Sequence, residues 1–221
     1  MFRYSWHFTI TINIAQLLMH NLHGSEAEYF AKNTSILPNT VTQTKADFVL
    51  LSLGGNDLKN IYFRKKYKTP WAATSQIRES LETIVDALYK EHPNVNVVMY
   101  GYDFLGNAED YFLKDKSAVV RKLYHWLFVP FSNYVAGHLG KALASMEKKY
   151  QKENRSFTYV PLWGTLQNAI EKEEEIDKEQ GFSYWRHSAT EFMRDPIHAN
   201  EKGYNILLSK LYKKYFERKL Q

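Results

Sequence analysis

Two short stretches of this 221-residue chain carry residue types that can move protons and stabilise charge. Near the carboxyl end, Met193-Arg194-Asp195-Pro196-Ile197-His198 runs into Ala199-Asn200-Glu201. A carboxylate three residues ahead of a histidine, in a loop stiffened by proline, can accept a hydrogen bond from the imidazole Nδ1–H. Nε2 is then free to work as a general base. A metal-ligand pair or an incidental surface Asp and His are the competing readings, although a metal would want further His or carboxylate ligands nearby. The second stretch, Gly54-Gly55-Asn56-Asp57, holds an amide whose N–H can point at a developing oxyanion, behind glycines that let the backbone turn sharply. The same residues also suit a plain Gly-Asn-Asp turn.

The elements around these stretches decide where such groups stand. Ala46 to Leu53 is a nearly continuous apolar run, the kind of strand that a parallel sheet buries on both faces. Asn94 to Gly101 repeats the pattern, and Phe157 to Leu162 follows it with Pro161 near its end. Phe8 to Ile14 alternates as a strand does, and Leu17 to Leu22 is a short apolar stretch. Helical spacing marks Ser75 to Glu91, Asn133 to Lys152 and Glu201 to Phe216, with Asn200 placed to cap the last. Alternating strands and helices predict one domain over residues 1–221, an α/β fold with a mainly parallel sheet. Phe104 to Pro130 shows no clear period and reads as an insertion at a rim of the sheet, and Glu171 to Gln180 as a solvated helix or loop. In such folds sites form beyond the carboxyl ends of the strands, where Asn56 stands.

On these residues the chain resembles the SGNH (GDSL-like) hydrolases. Gly54-x-Asn56-Asp57 after a hydrophobic strand looks like that family's third block, and Asp195-x-x-His198 before a terminal helix like its fifth. Asn21-Leu22-His23-Gly24 is similar to the second block, and Tyr100-Gly101-Tyr102-Asp103 sits at a fourth strand-end loop. The resemblance implies a three-layer α/β/α, flavodoxin-like fold and a Ser-His-Asp ester hydrolase. His198 would be the base, Asp195 its partner, and the Gly24 N–H and Asn56 side chain two parts of the oxyanion hole. A small-molecule, lipid or acylated-sugar ester would be the substrate, and no cofactor is implied.

The family's first block, Gly-Asp-Ser, does not occur in the sequence. Ser5 lacks a preceding glycine and strand, Ser52 lies within the strand ahead of Gly54, and Ser25 falls inside the second block, where a polar loop role suits it better. Two expectations compete. Either Met1 is an internal start and the first strand with its serine lies upstream, or the chain is a relative that binds without catalysing. A sheet stripped of its central strand would bury unpaired backbone groups at about 1–3 kcal/mol each, which favours the first.

Composition narrows the remaining classes. A charge of +5, from 29 Lys and Arg against 24 Asp and Glu, is spread along the chain without a basic stripe, so a solvated surface is expected rather than nucleic-acid binding. Cysteine is absent, which excludes disulfides and thiolate chemistry. No run of about 18 apolar residues suggests a membrane span, and residues 1–20 lack the pattern of a signal peptide. Compartment and oligomeric state are not legible. Trp126, Trp163 and Trp185 read either as a lining for an acyl or sugar group or as core and rim packing.

Overall fold

A computed structural model describes residues 17–19, 26–58, 69–106, 115–171, 182–195, 198–217 and 219. The expected strand at Phe8 to Ile14, the acidic stretch from residue 172 and Pro196 lie outside the described residues. Four strands, β1 (Leu17–Met19), β2 (Phe48–Leu51), β3 (Asn96–Tyr100) and β4 (Phe157–Val160), form one parallel sheet in the order β1-β2-β3-β4. Leu18 pairs with Val49, Leu50 with Val98, and Met99 with Tyr159.

Between the strands run α1 (Ala27–Lys32), α2 (Ile36–Thr44), α3 (Pro70–Glu91) and α4 (Ala118–Lys152). After β4 come α5 (Thr165–Glu171), a 3-10 turn at Thr190–Phe192, α6 (Glu201–Leu211) and a π-helical turn at Tyr212–Phe216. Local chemistry explains the starts. Thr69 accepts the Ala72 N–H at 3.1 Å with Pro70 behind it, and Ser117 accepts the Val120 N–H at 3.4 Å.

Strand alternation sorts the core into two layers. Val49, Leu51, Val97 and Met99 face α3 and α4 through Ile77, Leu81, Leu139 and Leu143. Phe48, Leu50, Val98 and Val160 face the opposite way, onto Leu211, Tyr215 and Phe216. Strands buried on both faces account for the continuous apolar runs in the sequence. The result is the expected three-layer α/β/α arrangement.

One helix departs from the sequence reading. The periodicity predicts a helix over residues 133–152, yet α4 begins fifteen residues earlier, at Ala118. Residues 118–130, the larger described part of the expected insertion, are its first half. At 100° per residue the apolar positions of the two halves point in different directions, rotated by roughly 125° around the axis. Val120, Leu123, Leu127 and Tyr134 are exposed, whereas Val135, Leu139, Leu143 and Met146 are buried. A single-stripe template cannot register a helix whose stripe changes sides.

Candidate active site

β2 ends in a turn that only glycine can make. Gly54 has φ +102°, and a Cβ there would stand 3.1 Å from Ile77 and 3.2 Å from Leu139. Left-handed backbone of this kind is strained for any L side chain. Residues 55–58 form a helical turn closed by the Leu58 N–H on the Gly54 carbonyl at 2.9 Å, and it carries Asn56 half-buried. The Tyr102 hydroxyl accepts the Gly55 N–H at 2.8 Å, and its ring lies so close that a Cβ on Gly55 would be 2.7 Å from Cζ. Burial pushes the Tyr102 hydroxyl up to about 12, so it stays protonated. Burial raises the Tyr100 hydroxyl as well, and Ser52 opposes the shift at both tyrosines.

Asp57, the last residue of the motif, faces away from solvent. Its buried carboxylate accepts the Ala27 N–H at 2.9 Å and the Glu28 N–H at 3.5 Å, at the start of α1. Burial raises its pKa and the two backbone bonds oppose the shift. Ala27 lies three residues beyond Gly24, so this side chain ties the Asn56 turn to the segment that follows the expected second block. Gly24 and Ser25 themselves lie outside the described residues.

The second half of the site is built at the start of α6. Asn200 caps that helix, accepting the Gly203 N–H at 3.0 Å and donating to the Glu191 carbonyl at 2.7 Å. Gly203 packs so tightly that an added Cβ would run into the Phe192 carbonyl. Within the loop, the Arg194 N–H donates to the His198 carbonyl at 2.8 Å, and the His198 N–H donates to Asp195 Oδ1 at 2.8 Å. The imidazole Nδ1 stands 2.9 Å from Asp195 Oδ1 and 2.8 Å from Oδ2. A carboxylate can only accept, so Nδ1 carries a proton, and in the neutral imidazole the lone pair is on Nε2. Both side chains stay open to solvent, His198 at 39% and Asp195 at 36% exposure.

Packing of α6 puts this pair at the carboxyl edge of the sheet. The far end of the helix, at Tyr215 and Phe216, stacks edge-on against Phe48, the first residue of β2. Nearer its start, Leu207 and Leu208 pack in the same cluster as Tyr100 at the end of β3. The helix therefore runs antiparallel to the strands, from the carboxyl edge near Tyr100 back to Phe48 at the start of β2, so the loop ahead of it stands at the carboxyl edge. His198, Asp195 and Asn56 share one rim of the molecule.

Sequence reasoning passed over the supports of that rim. Buried Asp103 accepts the Phe104, Gly164 and Leu166 N–H groups at 2.7, 2.6 and 2.7 Å, joining the loops after β3 and β4. Burial pushes its carboxyl up to about 6, with the backbone bonds and buried Lys210 pulling the other way. Asn133 on α4 donates to the Ser183, Tyr184 and Arg186 carbonyls. The only sequence signal for Asp103 was its place after a strong strand. Among the described residues, no three His, Asp or Glu side chains converge as a metal site would require.

The sequence profile of the GDSL-like lipase/acylhydrolase family matches residues 14–211. The chain belongs to that family. No curated protein sequence matches it. Among solved structures, this GDSL-like chain is similar to a serine-to-alanine mutant of an acetyl esterase with acetate ion, 16% identical with a TM-score of 0.52, over 88% of this chain and 68% of that one. A GDSL-like lipase from Parabacteroides merdae is 12% identical, with a TM-score of 0.55 over 86% and 68% of the two chains. A carbohydrate esterase family 3 protein from Talaromyces cellulolyticus is 16% identical, with a TM-score of 0.50 over 88% and 68%. At such identities the likeness speaks for the fold. Among the described residues, no helix is long and apolar enough to cross a membrane.

Proposed function

We propose that the protein is an ester hydrolase of the serine type, acting on a small-molecule, lipid or acylated-sugar ester. The observation that carries this reading is the Asp195–His198 pair, 2.8 Å apart, on the same rim as the Asn56 turn. In the proposed reaction His198 Nε2 takes the proton of a serine hydroxyl, from a Gly-Asp-Ser block that residues 1–221 do not contain, as its oxygen attacks the ester carbonyl. Asp195 holds the Nδ1–H tautomer and stabilises the imidazolium that forms. The Asn56 amide and the Gly24 N–H donate to the oxyanion of the tetrahedral intermediate. His198 then returns the proton to the departing alcohol, and water repeats the sequence on the acyl-enzyme.

One observation favours a second reading. No Gly-Asp-Ser stands anywhere in the sequence, so a relative that binds in the crevice without hydrolysing is the alternative. Hydrolysis of p-nitrophenyl acetate and labelling by a fluorophosphonate decide between them. The hydrolase reading expects both, with the His198→Ala rate lower by about a thousandfold or more. A protein extended upstream of Met1 that stays inert to the ester and unlabelled is the binding-only relative.

A further inference from the structure

We infer that the first half of α4 is a docking surface for an anionic lipid surface, held over the rim that carries Asn56 and His198. That this surface also presents the ester rests on the hydrolase reading; the docking itself does not.

The direction of α4 comes from its contacts. Tyr150 lies against Phe157 at the start of β4, with ring centroids 5.1 Å apart. Ten residues back, Gly140 abuts Tyr159 and Trp163, and Leu139 reaches Gly54 at the end of β2. The helix therefore climbs past the carboxyl edge as it is followed towards Ala118. From Leu139 to Ala118 it continues for about 30 Å at 1.5 Å per residue. Its inner face is settled, with Val129, Ser132, Asn133 and Val135 buried.

The outer face is apolar. Val120, Leu123, Trp126, Leu127, Phe131 and Tyr134 recur at helical spacing, with Leu123, Trp126 and Leu127 exposed by 56%, 62% and 55%. The stripe ends where Lys141 takes the same azimuth. It continues sideways in rings: Tyr134 packs on His138 at 4.5 Å and approaches Tyr184 at 6.2 Å, and exposed Trp71 stands edge-on to His138 at 5.3 Å. Tryptophan and tyrosine with one wet and one apolar side suit the boundary between headgroups and acyl chains.

Charge selects the occupant. From Ala118 to Met146 the sequence holds no Asp or Glu, in a chain with 24 of them, while exposed Lys122 and Lys141 are cationic. Apolar residues beside Lys122 and Lys141, with no carboxylate among residues 118–146, match a layer of anionic headgroups over hydrocarbon. A second copy laid arm against arm would bring those cations together with no carboxylate on either arm to pair them.

Flotation of the full-length chain with liposomes tests this. With phosphatidylcholine and phosphatidylglycerol at about two to one, the protein is expected to float, and Leu123→Asp/Leu127→Asp to bind about tenfold less or worse. Both substituted positions are exposed, so p-nitrophenyl acetate hydrolysis and the circular dichroism spectrum should not change. No flotation of the unaltered chain overturns the inference, as does equal flotation of the double variant. So does a dimer in sedimentation that the double variant converts to monomer without any liposome binding. Flotation needs no turnover, so failure of ester hydrolysis with flotation intact would refute only the hydrolase reading.

Discussion

Replacing Asp57 separates the support of the site from its chemistry. Its carboxylate is buried, and the Ala27 N–H it accepts at 2.9 Å belongs to a fully buried residue. Asp57→Ala leaves that N–H without an acceptor and without water, at about 1–3 kcal/mol. It also removes a negative charge from the start of α1, worth about 0.3–1 kcal/mol. Burial works the other way, since the raised pKa of Asp57 shows that its charge is held at a cost. The net expectation is a loss of about 1–3 kcal/mol. In Asp57→Asn the amide oxygen can keep the Ala27 bond and only the 3.5 Å contact to Glu28 is forfeited, with no charge left to desolvate. That variant should lie within about 1 kcal/mol of wild type. Because its folded pKa is raised, wild type should be favoured over Asp57→Asn at acid pH and lose that advantage as pH rises through the folded value. Urea unfolding at several pH values, paired with kcat/KM for p-nitrophenyl acetate, reads out all three statements. Activity should fall in Asp57→Ala beyond what lost stability explains, because the turn holding Asn56 is released from α1. An Asn variant as unstable as the Ala variant would refute the reasoning.

Tyr102→Phe removes the acceptor of the Gly55 N–H, and kcat for the ester should drop by about tenfold with KM little changed. Gly203→Ala drives a methyl into the Phe192 carbonyl, so urea melts should show a loss of about 2 kcal/mol or more. Asp103 supplies a pH dependence. Its carboxyl, raised to about 6 by burial, favours the folded chain below the ordinary carboxyl range and loses that contribution as pH rises through 6. Relative to Asp103→Asn, wild type should therefore lose about 2 kcal/mol between pH 4 and pH 7 in denaturant titrations.

Strands β2 and β3 were legible because burial on both faces writes an unbroken apolar run, and α6 because its stripe and its Asn200 cap agree. The Asp195–His198 pair could be read for a related reason. A three-residue spacing lets backbone geometry alone bring carboxylate and imidazole together, and the loop closes on its own hydrogen bonds. Contacts made at long sequence separation left no such trace. Tyr102 meets Gly55 across 47 residues, and Asp103 meets Gly164 across 61. The outer half of α4 was hidden by its reversed stripe, which a reader expecting apolar residues to face inward scores as noise.

The distribution of buried polar groups follows from the same geometry. Loops at the carboxyl edge have left the sheet ladder, so their N–H and C=O groups need other partners. Among the described residues, side chains provide them: Asp57 for the start of α1, Asp103 for the turn after β4, Asn133 for residues 183–186, and Ser188 for the Phe104 carbonyl. Each joins segments at least 29 positions apart. The groups read as reactive have the opposite surroundings, since His198 and Asp195 are each more than one-third exposed. Rigidity at this rim thus comes from buried Asp and Asn residues beneath it, while the imidazole and its carboxylate stay within reach of a substrate. A buried polar side chain bonded to a distant loop is accordingly the place where a substitution should alter turnover without touching a reacting atom.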